Sequence, residues 1–94
     1  MTPAAFKRSL DSDQPPRGVS APLQALWWAK RGAWDKAHTI VMDADDPDSA
    51  WIHAYLHRAE GDIGNANYWY RQARRRAATG PLDAEWDTIL AALL

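Results

Sequence analysis

The sequence predicts an all-α domain built from two helical hairpins and a closing C-terminal helix. Three observations lead there. Ala, Leu, Arg and Gln recur while β-branched residues are few, a balance that favours helix over strand. Glycine and proline punctuate the chain at Pro15-Pro16, Gly32, Pro47, Gly61 and Gly80-Pro81, and the stretches between them have helical length. A pattern of glycine and alanine also returns after 29 residues, at Gly32, Ala37 and Ala44 and again at Gly61, Ala66 and Ala73.

Residues 1–20 read as an arm. Ala4 to Leu10 suffices for two helical turns with Phe6 and Leu10 on one side, and Phe6 is the residue expected to pin the arm to the body. The run from Asp11 to Gly18, with its double proline, breaks any helix. The helical domain then occupies 21–94. Ser20 is a suitable N-cap and Pro22 falls in the first turn, so a first helix runs from about Ala21 to Arg31 and stops at Gly32. A second runs from Ala33 to Asp43, with Trp34, Ala37, His38 and Val41 on one face. Asp46 caps and Pro47 starts a third helix, which ends at Gly61. Asp62 caps a fourth, read as continuing to about Thr79 with Arg74, Arg75 and Arg76 loading its negative end. Asp83 is read as the cap of the last helix, whose apolar stripe is Leu82, Trp86, Ile89, Leu90 and Leu93. The units are therefore a hairpin at 21–44, a hairpin at 47–79 and a capping helix at 82–94.

The 29-residue period has a physical sense. Glycine permits the tight reversal inside each hairpin, the alanine five residues later lets two helices approach closely, and Val41 or Tyr70 fills the gap to the next hairpin. At these residues the chain resembles the tetratricopeptide repeat family: Gly61-Asp62-Ile63-Gly64-Asn65-Ala66 with Tyr70 and Ala73 follows the family's spacing, and Gly32, Ala37, Val41 and Ala44 follow it with an aliphatic residue in the aromatic slot. The resemblance covers about Ala21 to Thr79 and implies two stacked antiparallel hairpins in a short superhelix. The chain departs from the family in its period, which is normally about 34 residues, and in having two repeats where about three are usual. The longer string of Ala37-His38 and then Trp51 to Tyr70 is also similar to a group of short microbial proteins of unassigned activity, which implies a compact stand-alone domain.

Composition removes several function classes. There is no cysteine, so disulfides, thiolate metal sites and thiol nucleophiles are excluded. A net charge of −1 disfavours general binding to nucleic acid, although Arg71 and Arg74 to Arg76 form a local basic end. No apolar run reaches membrane-spanning length, and the N-terminus lacks the apolar stretch of a signal peptide, so a cytoplasmic location is expected. The glycines are scattered rather than gathered in a phosphate loop, and the four serines fall in loops or caps, so no catalytic residue is assigned and enzymatic activity is disfavoured. The aspartates of residues 43–48 lack the glycine of a calcium loop and are better read as helix caps.

Two candidate sites remain. The family resemblance implies a concave groove on which Lys30, Trp51, Tyr55 and Arg58 would receive a peptide, aromatic anchors and cations being suited to an extended chain or a terminal carboxylate. The competing reading packs Trp51 and Tyr55 under the arm or the last helix. The second site is His38, His53 and His57 with Glu60. His53 and His57 are one turn apart, and the implied packing of the second helix on the third brings His38 to them; two imidazoles at i,i+4 and a third from a neighbour can hold a divalent metal such as zinc. The competing reading is a set of neutral, partly buried histidines joined by hydrogen bonds. The functional expectation is a small non-enzymatic module that binds a protein or peptide, with room for a homodimer and no cofactor. The alternative is a metal- or small-ligand-binding protein, with or without catalytic activity, that uses the His38, His53 and His57 cluster.

Overall fold

The computed structural model describes all 94 residues and contains six α-helices and no strand. Helix α1 spans Pro3–Arg8 and passes into a short 3-10 turn, Ser9–Asp11. The others are α2 (Ala21–Lys30), α3 (Trp34–Val41), α4 (Pro47–Ala59), α5 (Ile63–Gln72) and α6 (Leu82–Leu93). No helix is long and apolar enough to cross a membrane.

Local chemistry sets most of the boundaries. Side-chain oxygens of Ser20, Asp46 and Asp62 accept the amide hydrogens of Leu23, Ser49 and Asn65, satisfying donors that each helix start leaves free. Helices α2 and α4 end on the same device. Gly32 and Gly61 adopt left-handed φ angles of 79° and 88°, and the next amide reaches back to close the turn, Ala33 to the Trp28 carbonyl and Asp62 to that of His57.

Two boundaries differ from the sequence expectation. The fourth long helix does not reach Thr79: α5 ends at Gln72, and residues 75–79 run outside any helix. The reason is a third left-handed closure, with φ of 59° at Arg74 and the Arg75 amide donating to the Tyr70 carbonyl at 3.0 Å. Arginine stands where the other two closures have glycine, so Arg74, Arg75 and Arg76 lie beyond the helix rather than on its last turn. Asp83 is likewise not a cap. Pro81 occupies the N-cap position of α6 without a side-chain bond, and Asp83 sits in the first turn, paired with Lys30 at 3.0 Å.

Helix α2 packs on α3 and α4 on α5, while α4 also contacts α2 and α3. The core runs along α4, where nine consecutive residues from Ser49 to His57 are buried. Ala37 and Ala66, 29 residues apart, are buried, as are Val41 and Tyr70. The arm is part of this core: Phe6 is fully buried against Trp86, and the Trp27 Nε1–H donates to Ser9 Oγ at 3.0 Å. Helix α6 closes over α2 and α4, with Trp86 fully buried and its Nε1–H donating to the Leu26 carbonyl at 2.9 Å.

Candidate functional site

Three helices build the histidine site. On α4, His53 and His57 leave the same flank because they are one turn apart. On α3, His38 lies one turn beyond Trp34 and faces them. Helix α5 contributes Trp69. The structure brings His38, His53 and His57 together: ring centroids are 4.8 Å apart for His38 and His53, 4.8 Å for His53 and His57, and 5.4 Å for His38 and His57. The Nε2 atoms of His38 and His53 are separated by 3.1 Å. One ligand nitrogen from each of the three lies within 4.8 Å of the others.

The surroundings hold these rings in place. Trp34 stacks on His38 at 4.7 Å, and its own Nε1–H donates to the Leu56 carbonyl at 2.7 Å. Trp69 stacks on His53 at 3.9 Å. Glu60 Oε1 lies 2.7 Å from His57 Nδ1, an arrangement that favours the proton on Nδ1 and leaves the Nε2 lone pair free. His53 and His57 are buried, whereas His38 is half-buried and gives the cluster its access to solvent. His53 Nδ1 is buried with no hydrogen-bond partner.

Electrostatics disfavours charge on His53 and His38. Burial pushes the His53 imidazole down to about 4, and the neighbouring His38 and His57 add to the effect. Burial and then the charge of His57 lower His38, against a smaller opposing pull from Glu60 and Asp35. Neutral imidazole is the form that binds a metal. A tetrahedral zinc with Zn–N bonds of about 2.05 Å sets its ligand nitrogens about 3.3 Å apart. The 3.1 Å spacing of His38 and His53 is near that edge, and it also fits a hydrogen bond between two neutral rings. The donor set is therefore compatible with a metal held by three imidazoles, with a carboxylate behind one of them.

Of the four groove residues, Trp51, Tyr55 and Arg58 lie on α4 and Lys30 ends α2, and all are engaged. Trp51 is buried, with the Arg75 guanidinium 3.4 Å above its ring. Tyr55 is buried, its hydroxyl pushed up to about 12 by desolvation and by the charges of Asp83 and Glu85. Lys30 pairs with Asp83 beside the Trp86 ring. Arg58 donates from Nη1 to Glu85 Oε1 at 3.0 Å and from Nη2 to the Gly80 carbonyl. Glu85 also accepts the Tyr70 hydroxyl at 2.5 Å. In the structure, the carboxylate on Arg58 is the chain's own Glu85, delivered by α6.

Two participants escaped the sequence reading. Trp69 lies three residues after Ala66 and three residues before Gln72, on the flank of α5 next to the alanine that meets α4; that spacing was the available signal. Glu85 is buried one turn before Ile89, so it belongs to the inward side of α6, whereas Leu82, assigned to the stripe, is exposed. No family model matches the chain, and neither a curated protein nor a solved structure matches it.

Proposed function

We propose that this chain is a small metal-binding helical domain that takes a divalent ion of zinc's type on His38, His53 and His57. The observation that carries the reading is the convergence of three imidazoles from two helices, with Nε2 atoms of two of them 3.1 Å apart and the third ring oriented by Glu60. Packing alone leaves each buried ring a polar nitrogen to satisfy, and His53 Nδ1 is left without a partner here. Three protein ligands leave a position free for water or a substrate atom, the coordination pattern of reactive rather than purely structural zinc.

The scaffold that we propose for this site is two stacked hairpins of tetratricopeptide type. Its support is the shared left-handed closure at Gly32 and Gly61, the buried small residues Ala37 and Ala66 at the same displacement, and the pairwise packing of α2 with α3 and α4 with α5. Peptide recognition on the groove residues is the weaker proposal, because a partner has to displace Glu85 from Arg58 and Asp83 from Lys30.

Metal analysis of untagged protein, followed by thermal melts with zinc or chelator, tests the main reading. Zinc at about 100 times its dissociation constant should add about 2.7 kcal/mol, a rise in Tm of roughly 10 °C or more for a domain this size. His57→Ala should remove the rise. A melting curve indifferent to both zinc and chelator excludes the metal site.

A further inference from the structure

A second site is carried by the segment that follows α5. We infer that the cleft between residues 74–79 and α6 binds a small molecule through a doubly charged oxyanion, of which a phosphate monoester is the fitting form. The cleft measures about 460 Å³ and is lined by Arg74, Arg75, Arg76 and Thr79 on one wall and by Ala84 and Thr88 of α6 on the other. That volume suits a small molecule rather than a folded partner.

Charge is the first argument. Three exposed guanidiniums line one cleft, and none takes part in an ion pair within the chain. Glu85 is the one acidic residue on the lining, and both its oxygens are already committed, to Arg58 and to Tyr70. The cleft therefore concentrates positive charge with no internal counterion. Forked guanidiniums match phosphate oxygens geometrically. Arg75 is already held, its guanidinium resting 3.4 Å above the Trp51 ring. Thr79 adds a hydroxyl that can donate.

The backbone supplies an independent argument. The closures after α2 and α4 use glycine, whereas the equivalent position after α5 is Arg74 at φ 59°, a conformation that a side chain disfavours. At that position arginine is the less stable choice for the fold, and Arg74 lines the cleft. A long polyanion fits less well than a small one, since the chain carries a net charge of −1 and the exposed Asp83 and Asp87 stand on the same helix as the cleft wall.

The test adds inorganic phosphate, phenyl phosphate or sodium chloride to the full chain at matched ionic strength and follows backbone amide shifts. The expected result is saturable binding of phenyl phosphate, with shifts confined to residues 74–79 and 84–88 and no saturation by chloride. Arg76→Ala, at an exposed residue, should weaken it about tenfold. Arg74→Gly should raise Tm by about 2 °C or more while weakening phosphate severalfold. The inference is overturned if phosphate does no better than chloride, or if Arg74→Gly and Arg76→Ala leave affinity unchanged. It is equally overturned if a single-stranded oligonucleotide binds with length dependence while phenyl phosphate does not bind.

Discussion

Helix α4 buries polar groups on two flanks, and the flanks are finished differently. Toward α6, Arg58, Glu85 and Tyr70 form a closed set: the guanidinium reaches Glu85 and the Gly80 carbonyl, and the second Glu85 oxygen takes the Tyr70 hydroxyl. Toward α3 and α5, His38, His53 and His57 are boxed by Trp34 and Trp69 but not closed, because His53 Nδ1 has no partner. A saturated network serves the fold, since any missing member leaves a buried charge or hydroxyl exposed to an apolar interior. An unsaturated one has capacity left for a ligand.

The largest effect should come from breaking the saturated side. Glu85→Ala leaves Arg58 and Tyr70 without their acceptor and should cost about 3–5 kcal/mol in urea denaturation. A loss below about 1 kcal/mol would show that the network is peripheral. On the other side, acid should act through His53. Its imidazole is held at about 4 in the fold against 6.5 in the unfolded chain, so between those values the unfolded state binds the extra proton. Stability should therefore be complete above pH 6.5 and fall as pH drops toward 4, by up to about 3 kcal/mol. Urea midpoints followed across that range check this, and His53→Gln should flatten the slope there. A slope unchanged by that substitution would mean that the histidine titrates as it does in water.

Smaller effects separate the turns from both flanks. Gly61→Ala should cost about 1 kcal/mol, all of it conformational, because a Cβ at this position meets no atom within 4 Å while φ is +88°. It should leave zinc affinity intact, whereas His38→Gln should lower zinc affinity with a smaller loss of stability. If the two substitutions had the same effect on zinc, the cluster would be a packing feature rather than a ligand set.

Helix starts were legible because each depends on one residue a few positions from the amide that it satisfies, as at Ser20, Asp46 and Asp62. The closures at Gly32 and Gly61 were legible because glycine advertises a left-handed turn. The third closure was not, since Arg74 carries no such mark, and three good helix formers in a row argued for continuing the helix. The histidine convergence was legible from the i,i+4 spacing on one helix and the apolar face on another. Glu85 was not, because a carboxylate on an amphipathic helix reads as solvent-facing unless the cation that it meets, Arg58, is known to lie opposite; that pairing spans 27 residues and two helices. The groove residues show the same limit: their types suited a peptide, whereas the contacts with α6 at Lys30 and Arg58 and with Arg75 at Trp51 carried no mark in the sequence.

The most direct measurement of the central claim is a cobalt(II) titration of the untagged protein at neutral pH, followed by visible absorption. The expected result is one equivalent of tightly bound cobalt with the intense bands of a four- or five-coordinate nitrogen site, displaced by zinc and absent in His57→Ala. A pale spectrum like that of the aqueous ion, the same for the wild type and His57→Ala, would contradict the assignment of His38, His53 and His57 as a metal centre.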